Sequence, residues 1–401
     1  MQQKKLLLFE SYPYFSGSQR ISYNFCKILK TKGYHITLLL ADDSFGFHKE
    51  KFGPYVDDIL YIETPAILKK YGNSDSWFSP KNFPSSFFKG LIPFYGKCKK
   101  VLKNKKFDFF YFCDPRGATM LIPAIMLYKG KKIFHFHGRN KLPGVIAKLF
   151  LKASDKIICV SKDVADSLPP SAKKTVIYNG IDFTQYGQID THEALNDIRT
   201  ILGENSDDTE KILYAGLIRP QKGVHHLVEA FGTVVKKGNG KIPHLFILGE
   251  PKTDDEKKYR ETLQSYCRDE GFSEYVHWMG WKNNVLAWMK SCDVFVFPSV
   301  DREKNKFEGF GEWIVTTEGL PTVLIESSLC EIFAIASAVT GVKEIISSGA
   351  NGIVYDADKS GALTDFLEEV VNKKNLFKGF PDRENFSIET FERKMLDALN
   401  N

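Results

Sequence analysis

The chain has no CxxC spacing. Its seven cysteines, Cys26, Cys98, Cys113, Cys159, Cys267, Cys292 and Cys330, are odd in number and scattered. That argues against a disulfide framework or a zinc knuckle and fits a reducing cytosol. No uninterrupted apolar run is long enough to span a bilayer. The run at residues 6–9 follows Lys4 and Lys5 but is too short for a signal peptide and stops at Glu10, so it reads as a first β-strand. A large charge excess is also missing. The net charge of +6 does not mark a nucleic-acid binder, although it can favour anionic ligands or lipid surfaces. No side chain stands out as a covalent nucleophile.

What is present is a repeated plan. With 401 residues the chain has room for two or three domains. In the first half an apolar strand at 6–9 leads through a loop with Pro13 and Gly17 to Ile21, Phe25, Ile28 and Leu29 at helical spacing. Gly33 stops the helix, and 36–40 is a second strand. In the second half the strand at 212–215, the loop from Gly216 to Gly223, the stripe Val224, Leu227, Val228, Phe231 and Val235, and the strand at 245–248 repeat the pattern. Further continuous apolar runs in each half fit strands buried on both faces. The polar stretch 188–210 between the halves reads as a linker. Two doubly wound α/β domains of this kind bind ligands at the carboxyl ends of their strands.

Three groups of residues could carry chemistry. Glu318 and Glu326 flank Gly319-Leu-Pro321 and an apolar run. A carboxylate before a helix and one inside it could read two parts of a polar ligand, beside the free N–H groups of the helix start; both could equally be solvated. Arg219 and Lys222 lie in a strand-to-helix loop ending at Gly223. An Arg can fork two phosphate oxygens, and a Lys adds a point charge; alternatively the two are plain surface charges. His135 and His137 alternate along one strand and so point the same way, with no third metal ligand apparent. Both can be read as packed core histidines, His135 the more readily. Asp356-Ala-Asp358 has the form of a DxD metal motif but follows a turn and reads as surface structure. The site is expected to hold no metal.

Several strings together resemble the retaining glycosyltransferases of family 4. They are Ala153-Ser-Asp-Lys-Ile-Ile-Cys-Val-Ser161, Ile177-Tyr-Asn-Gly-Ile-Asp182, Gly216-Leu-Ile-Arg-Pro-Gln-Lys-Gly223, Pro298-Ser299, Glu318…Glu326 and Gly341…Glu344. The resemblance covers nearly the whole chain. It implies a GT-B fold: two doubly wound Rossmann-like domains facing across a cleft. An amino-terminal acceptor-side domain would span 1–185 and a nucleotide-sugar domain 186–385, with a last helix at about 386–401 crossing back. By the same resemblance Gly216, Arg219, Lys222 and Gly223 hold the diphosphate. Glu326 holds the ribose, and Glu318 with the N–H groups of Gly319 and Leu320 holds the sugar. Phe15-Ser-Gly-Ser-Gln19 matches the glycine loop, placing Gly17 at the donor, and His137 serves a donor hydroxyl or the acceptor side. Glu318, His137, Arg219 and Lys222 are the expected catalytic set. After Glu326 the family has a small residue and then Gly-x-Pro before the next strand; Glu331 and Phe333 stand at those glycine and proline positions and depart from them. An insertion over 300–317 contains Glu308-Gly-Phe-Gly311, a second family-like string, but choosing Glu308 as the first glutamate would put Thr316 in place of the second.

The expected activity is metal-independent, cofactor-free transfer of a hexose or N-acetylhexosamine, with retention, from a UDP-sugar to a glycan or lipid-linked acceptor in cell-surface polysaccharide synthesis. A UDP-sugar epimerase and a non-catalytic nucleotide-sugar-binding protein are the rival readings. Residues 81–106 hold eight lysines and no acidic residue, interleaved with Phe83, Phe87, Phe88, Leu91, Ile92, Phe94 and Tyr95. That pattern makes an anionic membrane surface a further candidate partner, giving a cytoplasmic protein lying on the inner face of the membrane. No nucleic-acid partner is expected.

Overall fold

The computed structural model describes residues 3–400 except 13–16, 42–43, 45, 70–81, 114–116, 119, 122–124, 127, 140–143, 239–240, 316–317 and 372. The chain divides into two compact units, Met1–Gly180 with Ile388–Asn401, and Ile181–Ser387.

The first unit is built on a parallel sheet of β1 (Lys5–Glu10), β2 (His35–Leu40), β3 (Asp58–Tyr61), β4 (Phe109–Phe112), β5 (Lys131–Phe136), β6 (Lys156–Cys159) and β7 (Lys174–Val176). Their order is β3-β2-β1-β4-β5-β6-β7. Continuous runs such as Phe-Phe-Tyr-Phe in β4 are buried throughout, as a sheet covered on both faces requires. Helix Gly17–Thr31 buries Ile21, Phe25, Ile28 and Leu29 on one stripe. The last helix, Ile388–Asn400, adds Phe391, Met395, Ala398 and Leu399 to the same core. Gly180 lets that helix in: a Cβ there would stand 2.4 Å from the Cβ of Phe391.

The second unit holds β8 (Lys211–Ala215), β9 (His244–Leu248), β10 (Val276–Gly280), β11 (Val294–Phe297), the short antiparallel pair β12 (Arg302–Lys304) and β13 (Trp313–Val315), β14 (Phe333–Ser337) and β15 (Gly352–Tyr355). The main sheet runs β10-β9-β8-β11-β14-β15, all parallel. In both sheets the order reverses beside the first strand, at β1/β4 and β8/β11. A reversal leaves a crevice at the carboxyl ends, where doubly wound folds bind ligands. At the second one, β8–β11 pairing stops at Leu213–Phe295, two residues short of either strand's end, so the strands part as they approach the edge.

Two segments differ from expectation. Within the polar stretch 188–210 lies helix His192–Leu202, which buries Ala194 and Ile198 and packs against helix Val285–Ser291. The insertion over 300–317 carries the β12–β13 hairpin.

Candidate functional site

In the second unit the sheet's carboxyl edge is assembled by backbone contacts that only glycine allows. Gly223, at φ +66°, ends the loop after β8, and a Cβ there would fall 1.8 Å from the carbonyl oxygen of Pro298, just past β11. The next helix, Val224–Lys237, therefore starts hard against the neighbouring strand end. Gly341, at φ +79° in the loop after β14, plays the same part. A Cβ on it would lie 2.4 Å from the carbonyl oxygen of Gly319, so it supports the Gly319-Leu-Pro321 turn from behind. Gly319 and Leu320 are buried, and Thr322–Leu329 is helical. Gly216 leaves β8 directly, its N–H donating to Leu248 O of β9 at 3.0 Å.

These contacts bring the charged residues together. Lys222 Nζ donates to Glu318 Oε1, joining the loop after β8 to the loop before helix Thr322–Leu329. Both members of this pair are more than two-thirds buried, where an ion pair is screened less than on the surface. Lys222 also stands over the ring of Phe297, 5.9 Å from its centroid. Arg219 uses Nε and Nη2 on one oxygen of Glu256, with Nε at 2.9 Å. Glu326 projects from the second turn of helix Thr322–Leu329 and is half-buried. Gly216, Arg219, Lys222, Gly223, Glu318, Gly319 and Leu320 thus share one edge of one sheet, and Glu326 lies on the helix that begins there.

Glu256 went unrecognised in the sequence. Its carboxylate is almost fully buried, and besides Arg219 it accepts the Lys252 N–H at 2.7 Å. It also opens helix Asp254–Asp269, its own N–H donating to Thr253 Oγ1 at 3.3 Å. The signal was available: Thr253-Asp-Asp-Glu256 is a capping-box pattern, and such a Glu is turned back toward the chain entering the helix.

In the first unit, Gly17 is the first residue of its helix, and Phe15 and Ser16 of the glycine loop lie outside the described residues. Two residues on, Gln19 Nε2 donates to the buried Glu10 at the end of β1 at 3.1 Å, and Cys113, after β4, donates to the other oxygen of Glu10 at 2.9 Å. His137 follows β5. Burial holds its imidazole down at about 3, so it is neutral across the physiological range. Its Nε2 is buried with no hydrogen-bond partner among the described residues. His135 is buried against Tyr111, whose hydroxyl lies 2.6 Å from His135 Nδ1. Asp356 accepts the Asp358 N–H at 3.0 Å in an exposed turn.

The two departures lie away from this edge. Glu331 sits just beyond helix Thr322–Leu329 at φ +62°, the left-handed conformation that a glycine takes without cost. The helix closes over it: Ile332 N–H donates to Ser327 O and Glu331 N–H to Ser328 O, each at 3.2 Å. Phe333 begins β14 inside the apolar core, at the amino end of the sheet.

A family model described as Glycosyl transferases group 1 matches residues 197–392, and one described as Glycosyltransferase Family 4 matches residues 15–185. An uncharacterized glycosyltransferase of Methanocaldococcus jannaschii is 26% identical over 92% of this chain and 88% of its own length. The UDP-Gal:alpha-D-GlcNAc-diphosphoundecaprenol alpha-1,3-galactosyltransferase of Escherichia coli is 23% identical over 91% and 87%. Among solved structures, Anabaena HepE in complex with UDP superposes with a TM-score of 0.75 at 15% identity, covering 99% of this chain and 100% of that one, which establishes the two-domain GT-B fold. With two family models accounting for most of its length, the chain belongs to the family 4, group 1 glycosyltransferases.

Proposed function

We propose that this glycosyltransferase moves a hexose or N-acetylhexosamine from a UDP-sugar to a glycan or lipid-linked acceptor in cell-surface polysaccharide synthesis, retaining the anomeric configuration and using no metal. The observation that carries the reading is the Lys222–Glu318 pair at the carboxyl edge of the second sheet, a cation for a phosphate beside a carboxylate for a sugar hydroxyl. As the donor's glycosidic bond breaks, negative charge grows on the diphosphate, and fixed positive groups that stabilise it lower the barrier. Lys222 and Arg219 take that charge, and Gly216 and Gly223 let the loop backbone approach it closely. Glu326 binds the ribose. Glu318 and the N–H groups of Gly319 and Leu320 hold the sugar, and Gly17 borders the donor. His137, a neutral imidazole, hydrogen-bonds a donor hydroxyl or the acceptor side. The acceptor hydroxyl attacks the face from which the diphosphate departs. A diphosphate oxygen takes its proton, so no covalent nucleophile is needed. UDP is favoured because the Escherichia coli relative is named for a UDP-Gal donor and HepE is complexed with UDP.

The acceptor side is assigned to the first unit, and with it a membrane contact on the inner leaflet. Over residues 83–102, Phe94, Cys98 and Leu102 pack inward while Phe83, Phe87, Phe88 and Ile92 stay exposed, with Phe88 at 67%. Lys89, Lys97, Lys99, Lys100 and Lys103 accompany them in the chain, Lys97 pairing with Glu63. Lys81 lies outside the described residues. Bulky apolar groups beside cations match an anionic lipid surface. Among the described residues no helix is long and apolar enough to cross a membrane. A thermal-shift screen of UDP-, GDP- and ADP-sugars tests the donor: stabilisation by UDP-sugars is expected, and stabilisation by another base alone refutes that part of the proposal.

A further inference from the structure

The β12–β13 hairpin leaves the sheet after Pro298-Ser299 and returns just before Glu318, so it is spliced into the edge that carries the donor residues. Its Glu303 reaches the first turn of helix Val224–Lys237, three residues past Lys222. There Oε1 lies 2.8 Å from His225 Nε2 and Oε2 lies 2.7 Å from His226 Nε2. Among the described residues this is the one group of three or more His, Cys, Asp or Glu side chains whose ligand atoms all lie within 4.8 Å of one another. The cluster is supported from behind. Tyr259 OH sits 2.8 Å from His225 Nδ1 and accepts the His225 backbone N–H at 3.0 Å, and the ring of Phe307, from the hairpin, packs edge-on against both His225 and Tyr259.

We propose that His225, His226 and Glu303 form a binding site for a zinc-class divalent cation that fastens the hairpin to the start of the helix following the Gly216–Gly223 loop. Two imidazoles and a carboxylate are a donor set such ions accept, with a fourth position left for water. Ligands at about 2.1 Å in a tetrahedral arrangement stand roughly 3.4 Å apart, so the observed nitrogen–oxygen separations of 2.8 and 2.7 Å need to open by about 0.6 to 0.7 Å. Tyr259 supplies the outer support that metal-bound imidazoles use: with Nε2 on the ion, Nδ1–H turns to the phenolic oxygen and fixes the ring. The ion would tie together the two loops bearing Lys222 and Glu318 without touching the reacting atoms. This inference does not depend on the donor or acceptor named above.

The competing account is a plain hydrogen-bonded clamp in which both imidazole N–H groups donate to Glu303. Equilibrium dialysis of the chelator-treated, tag-free chain against Zn²⁺, with Co²⁺ as a spectroscopic probe, separates the two. One equivalent per chain is expected, with visible Co²⁺ absorption and slower hydrogen exchange over residues 302–315 when Zn²⁺ is present. His226→Ala, at a half-exposed position, and the near-isosteric Glu303→Gln should each weaken uptake at least tenfold while leaving the circular dichroism unchanged. Substoichiometric uptake establishes the clamp and overturns the proposal. So does full uptake in both variants, as would occur if the His244–His277 pair, 2.8 Å apart, or a buried thiol held the ion.

Discussion

Glu256 holds Arg219 by two N–H groups on one carboxylate oxygen, and Glu256 is itself fixed to the backbone entering its helix. The guanidinium is therefore oriented before any ligand arrives, with Nη1 outside this contact. Preorientation spares part of the entropy that a free Arg would lose on meeting a diphosphate. Truncating it with Arg219→Ala removes a charge-assisted contact of about 1.5 kcal/mol, roughly tenfold in kcat/KM. Glu256→Gln keeps the shape but loses the charge. We expect a smaller, several-fold rise in KM with kcat little changed. Steady-state kinetics check both, and a wild-type kcat/KM in Arg219→Ala removes Arg219 from the diphosphate site.

The two glutamates of the 318–326 segment should separate in their effects. Glu326→Ala is expected to weaken binding of free UDP about tenfold, the loss of one charge-assisted hydrogen bond. Glu318→Ala should lower turnover more than UDP affinity, because its partner is the sugar. Calorimetry with UDP beside initial rates distinguishes them. Unchanged UDP affinity in Glu326→Ala contradicts the ribose role.

Glu331 occupies a left-handed backbone position at a helix end, which costs a residue with a Cβ roughly 1 kcal/mol relative to glycine. Glu331→Gly is accordingly expected to raise stability by about that amount, offset in part by the added freedom of the unfolded chain, and to leave donor affinity unchanged. A urea midpoint shifted downward, or altered UDP binding, shows that the glutamate has a role beyond ending the helix.

That position also shows how far the sequence could be read. The central strands were legible because parallel, doubly covered strands are continuous apolar runs, as in β4 and β11; the edge strand β3, with no fully buried residue, and the short pair β12–β13 were not. The charged loops were legible because Gly223, Glu318 and Glu326 lie in contiguous strings. Helix His192–Leu202 was missed because it buries only Ala194 and Ile198 among otherwise polar residues, leaving a thin stripe. The Arg219–Glu256 and His225–Glu303 contacts bridge 37 and 78 residues, so no local pattern announces them. The left-handed turn at Glu331 carries none of the glycine signal that marks such helix ends.

The exposed phenylalanines and lysines of residues 83–103 should bind anionic but not neutral vesicles. Each lysine near the lipid contributes up to about 1 kcal/mol, and salt screens it. Replacing Lys97, Lys99, Lys100 and Lys103 with Gln should weaken sedimentation with liposomes more than tenfold at low salt. Failure of the unaltered chain to bind either vesicle type under those conditions rules out the membrane contact.

The most direct test of the account is release of UDP from a UDP-sugar, followed with and without a glycan or lipid-linked acceptor in excess EDTA. The account predicts that release requires the acceptor and persists in the chelator. Consumption of the UDP-sugar without acceptor, or complete loss of release in EDTA that Mn²⁺ or Mg²⁺ restores, would contradict it.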